Sequence, residues 1–532
     1  MWYNKSKCSI YGKERTKVKA TTRRKWFGIF LRRRLFVALL LFLQICFLIF
    51  LVSLGSKYYS IVTILLTIVS AGVSLHILAQ NTKGGYKLLW IAIIMLFPVF
   101  GGLFYLLVKL QTSTRRYSRR LERVLRGMCE TCPPEGSILD RAAAGYPDYA
   151  NEMRYLEQFA GFPVYDGTET EYLSPGEEKF NRLIEELKKA EKYIFLEYFI
   201  IHEGVMWDSV LKILTEKAAA GVEVRVMYDD LGCFLTLPKD YPAYLNSLGI
   251  KCTVFNPFRP VLSVIQNNRD HRKIFVIDGK VAFTGGINLA DEYINLIERF
   301  GHWKDASVMV RGRAAWSFTL MFLKMWAIVN NTTEDYAAYY PWSDRDCEIQ
   351  GSGYVQPYAD SPMDTDNVGE NVYLRILADA KKYVYINTPY LVIDDSMFSA
   401  LTLAAKSGVD VRIVTPRHPD KKLVHVATRS YYRDLIKAGV RIYEYSKGFM
   451  HSKIFVSDDI TAAVGTTNLD YRSLYLHFEC GVMLYGCDTV KKIKEDFLAT
   501  LELCEEITEE GCRVSLITRL FQSLLRLLAP LL

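Results

Sequence analysis

The sequence predicts an α/β protein made of two similar halves, with mixed sheets flanked by helices, after an N-terminal helical membrane anchor. Three observations support this prediction. The pattern His-x-Lys-x4-Asp occurs twice, at His271, Lys273 and Asp278 and at His451, Lys453 and Asp458. Segments with helical and strand-like periodicity alternate around both copies, as in layered α/β folds. Residues 35–108 are strongly apolar and contain no acidic residue.

The basic residues of this chain are concentrated on both sides of its apolar region. Residues 1–34 hold 12 Lys or Arg and one acid, and residues 109–126 hold seven Lys or Arg and one acid. Such flanks would meet the anionic headgroups of a membrane surface. The two flanks carry net charges of +11 and +6, which together exceed the +8 of the whole chain, so residues 127–532 are net acidic. An acidic body argues against nucleic acid as a partner.

Three apolar segments follow the basic arm, at Leu35–Leu54, Tyr58–Ala79 and Leu88–Val108. Each has about the 20 residues that cross a bilayer as a helix, which predicts a multi-pass anchor in a bacterial cell membrane. The first segment is too long for a cleavable signal peptide. The sequence does not decide on which side of the membrane the body of the protein lies. The basic clusters before and after the apolar region both favour the cytosol, but three crossings would place them on opposite sides. A re-entrant segment is the alternative.

The rest of the chain reads as a duplication. Residues 190–196 (AEKYIFL) match 380–386 (AKKYVYI), and residues 221–226 (GVEVRV) match 408–413 (GVDVRI). We therefore expect a basic cytosolic arm at residues 1–34, about three transmembrane segments at 35–108 and a linker at 109–150. A first half at 151–340, a second half at 341–510 and a C-terminal amphipathic helix at 511–532 should follow. The last segment suits either a core helix or a membrane-surface helix.

The repeated pattern itself suits phosphate chemistry. His and Lys at positions i and i+2 lie on one face of a strand, where Lys can neutralise phosphate oxygens and His can attack phosphorus or move a proton. Each copy is followed by Gly-x-x-Asn. Asn288 and Asn468 could donate to phosphate, whereas Gly285, Gly286 and Gly465 would let the backbone approach it. The sequence shows no metal-binding cluster, so no cofactor is predicted.

These motifs resemble the phospholipase D superfamily over residues 151–510. The second and third apolar segments, with Trp90 and residues 98–102, resemble the membrane hairpin of bacterial cardiolipin synthases in that superfamily. The resemblance implies that both halves meet at one active site. It also implies that a phosphatidyl group passes between two phosphatidylglycerol molecules through a phosphohistidine, giving cardiolipin and glycerol at the surface of an anionic membrane.

Individual roles follow from the resemblance. Asp305 and Glu479 are similar to the acids that orient the two histidines. The expected arrangement has His271 as nucleophile oriented by Asp305, and His451 as general acid and base oriented by Glu479. Asp278 and Asp458 are expected to brace their loops. Two further residues, Glu197 and Tyr390, are placed near the centre on strands that correspond in the two halves.

Other functions use the same residues. A membrane-anchored phospholipase D would pass the phosphatidyl group to water, and a phosphatidylserine synthase would pass it to serine. The alternative without catalysis is an inactive membrane scaffold, which two intact motifs disfavour. The motifs alone specify only phosphodiester exchange.

Overall fold

The N-terminal part of the chain forms a helical unit of its own. The computed structural model describes residues 46, 56–97, 101–109, 136–258, 264–342, 349, 351–363 and 366–532. Residues 56–97 contain helices α1 (Ser56–Leu78) and α2 (Gly84–Leu96), and residues 101–109 form helix α3 (Gly101–Lys109). Trp90 and Tyr105 hold α2 and α3 together, because their rings meet edge to face with centroids 5.1 Å apart.

These helices match the predicted membrane spans only in part. The first predicted span, residues 35–54, lies outside the described residues except for Cys46. The second coincides with α1, whereas the third is divided between α2 and α3. Across the described ranges, no helix combines the length and the apolar character that a bilayer crossing needs. The described residues therefore do not support a multi-pass anchor.

Residues 136–532 form a second unit made of two similar halves. Strands of the first half are β1 (Thr168–Leu173), β2 (Tyr193–Tyr198), β3 (Glu223–Asp229), β4 (Lys251–Phe255), β5 (Arg269–Asp270), β6 (Ile274–Ile277), β7 (Val281–Gly285), β8 (His302–Lys304) and β9 (Ser307–Gly312). Those of the second half are β10 (Tyr354–Asp360), β11 (Tyr383–Asn387), β12 (Leu391–Val392), β13 (Asp410–Pro416), β14 (Arg441–Tyr445), β15 (Gly448–Met450), β16 (Ile454–Ser457), β17 (Thr461–Gly465), β18 (Leu469–Asp470), β19 (His477–Tyr485) and β20 (Cys504–Ile507).

Helices cover these strands and connect them. The first half contains α4 (Gly136–Gly145), α5 (Ala150–Arg154), α6 (Gly176–Leu187), α7 (Val205–Ala219), α8 (Asp230–Cys233), α9 (Tyr241–Ser247) and α10 (Ala315–Asn330). The second half contains α11 (Val368–Asp379), α12 (Asp395–Lys406), α13 (Lys422–Lys437), α14 (Tyr471–Tyr475), α15 (Asp488–Leu501) and α16 (Leu516–Leu527).

The two large sheets share the order of seven strands, and the second sheet has β20 as a further strand beside β14. The strand order is β1-β9-β7-β6-β2-β3-β4 in the first sheet and β10-β19-β17-β16-β11-β13-β14-β20 in the second. Along the strand order of each sheet, the first four pairs of neighbours, up to β2 or β11, are antiparallel. The next two pairs are parallel. The predicted α/β fold with two pseudo-symmetric halves and mixed sheets is confirmed.

Two short strand pairs join the halves. Strand β5 of the first half pairs in parallel with the start of β19, with Arg269 opposite His477. Strand β15 of the second half pairs in parallel with β8, with Met450 opposite Lys304. Each pair lies immediately before one of the motif histidines. The halves are thus hydrogen-bonded to each other at the predicted active site.

Helices α10 and α16 differ most clearly in burial: the first lies in the core of this unit and the second lies on its surface. Helix α10 is apolar on all sides and almost entirely buried, and its Phe322 stacks on Phe195 of β2 at 4.9 Å. Helix α16, in contrast, has only Leu525 buried and packs on α13 at the surface. The core-helix alternative for residues 511–532 is therefore wrong.

Candidate active site

The two motif histidines occupy equivalent places in the halves. His271 lies between β5 and β6, and His451 lies between β15 and β16. The backbone N–H of His271 donates to the carbonyl of Phe478 at 2.9 Å, and that of His451 donates to the carbonyl of Lys304 at 2.7 Å. Each histidine is therefore fixed by the backbone of the opposite half.

The acid that contacts each histidine also comes from the opposite half. Nδ1 of His271 lies 3.0 Å from both carboxylate oxygens of Glu479. Nδ1 of His451 lies 2.7 Å from Oδ2 of Asp305. The predicted pairing, Asp305 with His271 and Glu479 with His451, is thus wrong. The two acids were identified in the sequence, but the partners are exchanged.

The exchange follows from the two short strand pairs. Glu479 comes directly after the two residues of β19 that pair with β5, and Asp305 directly follows β8, which pairs with β15. Parallel pairing brings the next residue of one strand beside the next residue of the other. The residues that follow are an acid on one strand and a histidine on its partner.

Glycines make room for this arrangement. A Cβ on Gly286 would lie 2.0 Å from Oδ1 of Asp305, and a Cβ on Gly465 would lie 2.7 Å from the carbonyl oxygen of Cys480. Gly285, at φ +140°, packs as closely against the backbone around Ala306. Close packing against the acid and the neighbouring strands thus requires glycine at these positions, and the predicted role of these glycines at the phosphate stays a prediction.

Both histidines have a pKa below the ordinary value, which favours the neutral ring while no anion is bound. Burial is the main cause that lowers the pKa of His271, with Lys273 and Lys453 adding to it, and the result is well below the ordinary value. Burial and Lys453 lower the pKa of His451 to about 4, although Asp305 acts in the opposite direction. Because a carboxylate can only accept, a neutral ring donates Nδ1–H to it and keeps the lone pair on Nε2. A nucleophile or a base needs that lone pair.

The motif lysines lie beside the histidines in the interior. Nζ of Lys273 donates to the carbonyl of His271 at 2.7 Å, and Nζ of Lys453 donates to the carbonyl of His451. Burial lowers the pKa of Lys273 to about 8 and that of Lys453 to about 7. An anion entering the site would favour the charged form of both amines. Neither lysine is among the residues that line the cavity described next.

Both histidines open onto a single cavity of about 380 Å³. Its walls are mostly aromatic near the histidines. The Trp303 ring lies 5.3 Å from that of His451, and the Phe199 ring lies 5.0 Å from that of His271. Charged side chains also line it: the basic residues are Arg269, Arg299, Lys421 and Arg472, and the acids are Glu292, Asp420 and Asp470. Apolar walls with a few cationic groups suit an anionic head with hydrocarbon attached.

Asn288 and Asn468 line this cavity at equivalent positions. The Asn288 amide is already engaged, because its Oδ1 accepts from the Ile200 N–H at 3.0 Å and its Nδ2 donates to the Tyr293 hydroxyl at 2.7 Å. Nδ2 of Asn468 donates to the Ser473 hydroxyl at 3.0 Å. A second N–H of each amide is left for a ligand, so phosphate binding stays a prediction.

The two motif aspartates lie at the far ends of strands β6 and β16. Asp278, at φ +51°, accepts hydrogen bonds from the backbone N–H groups of Glu191, Lys192 and Tyr193. Asp458 accepts the same three bonds from residues 381–383 in the second half. Neither lines the cavity, so these carboxylates brace the turn and are not catalytic groups.

Comparison with known proteins places the chain in a family. A model described as "Cardiolipin synthase, PLD-like domain" matches residues 183–299 and 373–501, and one described as "Phospholipase_D-nuclease N-terminal" matches residues 62–109. A cardiolipin synthase of Geobacillus kaustophilus is 37% identical over 86% of this chain and 91% of its own length. The chain belongs to the cardiolipin synthase family. The predicted phospholipase D superfamily and enzyme class, a phosphatidyltransferase, are thereby confirmed.

Other relatives agree with this placement in the cardiolipin synthase family. Cardiolipin synthase 2 of Bacillus anthracis is 35% identical over 86% of this chain and 88% of its own length. A Streptococcus mutans protein is 47% identical over 83% of this chain and 96% of its own length. The solved structure of phosphatidylserine synthase from Haemophilus influenzae aligns with 72% of this chain and all of its own, with TM-score 0.54 and 13% identity. At that identity it supports the fold alone.

The remaining predicted residues take unexpected places in this member of the family. Glu197 is buried on β2, where it forms an ion pair with Arg272, which also binds Asp270 at 3.1 Å. Burial raises the pKa of Glu197 well above its usual value. Tyr390 lies just beyond β11 rather than on it; it lines the cavity and donates to Asp420 at 2.7 Å.

His477 is a cavity residue of this family member that the sequence did not reveal. Its ring centroid lies 5.5 Å from that of His271, and its Nδ1 is 3.7 Å from Glu479. The donor atoms of these three residues lie within 4.8 Å of one another, which makes them the one group of the described residues with the spacing of a metal site. Its position in His477-Phe478-Glu479, beside the identified acid, could have drawn attention to it, but this short sequence is not repeated in the first half.

Proposed function

We propose that the chain is a cardiolipin synthase that transfers a phosphatidyl group from one phosphatidylglycerol to a second. The products are cardiolipin and glycerol. One observation supports this proposal above all others: two buried histidines, each held by an acid of the opposite half, open onto the same cavity, which is lined by aromatic and charged side chains. One histidine can then attack phosphorus while the other handles the proton of the leaving or entering alcohol.

In the first step, Nε2 of His271 attacks the phosphorus of a phosphatidylglycerol. The bond from phosphorus to the glycerol headgroup breaks, and the leaving oxygen takes a proton from His451, whose ring is protonated once the phosphodiester anion has bound beside it. In the second step, a hydroxyl of another phosphatidylglycerol attacks the phosphatidyl-histidine, His451 accepts its proton, and the phosphorus–nitrogen bond breaks. Atoms and protons balance, and no cofactor enters either step.

The assignment of the two histidines is supported by their surroundings. The lysines Lys273 and Lys453 reinforce burial in keeping the pKa of His271 low, so its ring stays unprotonated and nucleophilic. Asp305 raises the pKa of His451 against the effect of burial, so this ring accepts a proton more readily. A bound phosphodiester anion would raise it further. Glu479 then holds the nucleophile, and Asp305 stabilises the imidazolium of the acid.

Membrane association is part of the proposal, because the family acts on lipids and residues 1–126 carry the basic and apolar segments described above. The substrates are phosphatidylglycerol and the surface is anionic lipid. A multi-pass anchor in the bacterial cell membrane stays a prediction from the sequence. Its first span falls mostly outside the described residues.

Product analysis tests the function. The purified full-length protein is given phosphatidylglycerol as its only lipid, and the products are separated by chromatography. Cardiolipin and glycerol in equal amounts are expected. Free phosphatidic acid as the main product would instead identify a phospholipase D and would refute the synthase proposal. His271→Ala should abolish product, whereas His425→Ala, a matched change at a histidine outside the cavity, should not.

A further inference from the structure

The C-terminal helix α16 is docked on the protein through Leu525, which is buried, and Arg526. The Arg526 side chain donates to the backbone carbonyl of Ser430 and to Asp434 at 2.9 Å, and its guanidinium lies 4.6 Å from the centre of the Tyr431 ring. All three partners belong to α13. Arg526 thus fixes the helix to α13, while the polar residues Arg519 and Ser523 stay exposed.

The apolar side of the same helix faces outward. Exposed large residues recur along one side at Leu516, Ile517, Leu520, Phe521, Leu524 and Leu527. Ile517 is 80% exposed and Leu516 is 72% exposed. A surface helix of a soluble domain presents the reverse arrangement. An apolar stripe of this length on a protein surface marks a site that another apolar surface covers.

The helix leads into the catalytic cavity. A short 3₁₀ turn, Ala529–Leu531, follows it, and both Ala529 and Leu532 line the cavity that holds the two histidines. Leu531 between them is 62% exposed. The exposed apolar stripe of α16 is therefore continuous with the wall of the active site.

The rest of the cavity rim has a matching character. Leu296 and Ile297 are exposed in the loop that leads to Arg299, which lines the cavity. On α13, exposed Leu423 follows Lys421, another lining residue. The Arg299 and Lys421 side chains are 61% and 60% exposed, and each lies within 4.0 Å of an acid, Glu292 and Asp420 respectively, so their outer surface is left to meet lipid headgroups. Apolar residues beside cationic ones are the pattern by which proteins enter the headgroup region of an anionic bilayer.

We propose that α16 and the apolar rim dock the catalytic body onto the surface of an anionic lipid bilayer, with the helix lying in the interface. The cavity mouth then faces the headgroups, and lipid substrates enter it without crossing water. This inference rests on the proposed function, because only a lipid substrate needs the cavity to open toward a bilayer. It adds a second membrane contact to the chain, separate from residues 1–126.

A charge placed on the outer face should impair catalysis only at a bilayer. Ile517→Glu is compared with Ser523→Glu, which makes the same addition of an acid on the exposed polar side of the same helix. Cardiolipin formation is measured with the full-length protein in vesicles of phosphatidylglycerol and on monomeric short-chain phosphatidylglycerol. Ile517→Glu should lower the rate in vesicles by about tenfold or more and leave the short-chain rate unchanged. Ser523→Glu should leave both rates unchanged.

The outcomes separate the two proposals. An equal loss in both assays would mean that the apolar face stabilises the body, and an unchanged rate in vesicles would mean that nothing docks there; either result overturns the docking proposal. If the unmodified protein forms no cardiolipin in either assay, the proposed function fails instead. Docking then rests on the following measurement, which needs no turnover.

A photoreactive benzophenone side chain placed at position 517 or 523 of the full-length protein reports what covers the helix. In phosphatidylglycerol vesicles, position 517 should crosslink to lipid and position 523 should not. A crosslink from position 517 to a second copy of the chain would replace the bilayer with a dimer contact and overturn the proposal. Equal lipid capture at both positions would also overturn it, since the polar side would then be equally immersed.

Discussion

Because each acid contacts the histidine of the opposite half, substituting one acid should impair one particular histidine, and the opposite pairing would predict that the other histidine is impaired. Asp305→Asn and Glu479→Gln each remove one negative charge while keeping the size of the side chain. Because Asp305 contacts His451 and Glu479 contacts His271, the first change should impair the proton-transferring histidine and the second should impair the nucleophile.

The size of the effect follows from the geometry. Asp305 is fully buried and lies 2.7 Å from Nδ1, so the bond that it makes to the His451 imidazolium in the transition state is charge-assisted and unscreened. Such bonds are worth about 2 to 3 kcal/mol. With 1.36 kcal/mol for each factor of ten, Asp305→Asn should slow cardiolipin formation by about 30- to 150-fold.

Leaving-group dependence distinguishes the two variants. A phosphodiester with a nitrophenolate leaving group needs no general acid, so Asp305→Asn should form the phosphoryl-histidine adduct with this substrate at nearly the parent rate. Glu479→Gln should form it slowly, because the amide has one acceptor oxygen instead of two, and its NH₂ group can hold the attacking ring in the wrong tautomer. Adduct is measured by mass spectrometry of rapidly quenched protein. If Asp305→Asn blocks the adduct while Glu479→Gln allows it, the assignment of the histidines is reversed; if neither variant nor parent forms an adduct, the covalent route is refuted.

Three further predictions concern neighbouring residues. Gly286→Ala places a Cβ 2.0 Å from Asp305, so turnover should fall by about 10- to 100-fold while the thermal unfolding transition stays cooperative; an unchanged rate would refute the need for that close approach. Arg272→Met leaves Glu197 buried beside a second carboxylate and should lower stability by about 3 to 5 kcal/mol in chemical unfolding, with partial recovery on adding Glu197→Gln. His477 has a pKa of about 4 when folded against an ordinary 6.5, so the unfolded chain takes up the proton first and stability falls as the pH drops from about 6.5 to 4; His477→Asn should reduce that fall in melting temperature, and an unaltered pH dependence would contradict it.

Much of the architecture could be predicted from the sequence because it depends on local patterns. The duplicated segments at residues 190–196 and 380–386 became β2 and β11 of sheets with matching strand order. Gly221 and Gly408 end helices in left-handed conformations, at φ +93° and +95°. The motif histidines could be recognised as a pair because spacing along the chain is repeated in both halves.

The pairing of acids with histidines could not be predicted in the same way. It depends on which short strands meet across the halves, and β5 and β15 are only two and three residues long. Strands of this length have no periodicity to detect. An acid 34 residues after His271 looks like its partner in the sequence, whereas the strand pairs bring Glu479 there from 208 residues away. The role of Glu197 was missed for a similar reason, since its partner Arg272 is remote in sequence.

The exchanged acids also mean that the proposed mechanism needs both motifs together. Each half carries a histidine whose orienting carboxylate is in the other half, so neither half alone contains a nucleophile with its acceptor. The backbone contacts from His271 to Phe478 and from His451 to Lys304 impose the same dependence on position. A change in the packing of the halves would therefore move both histidines away from both acids at once. Catalysis and the association of the halves depend on the same two strand pairs, which couples the assembly of the fold directly to the assembly of the active site.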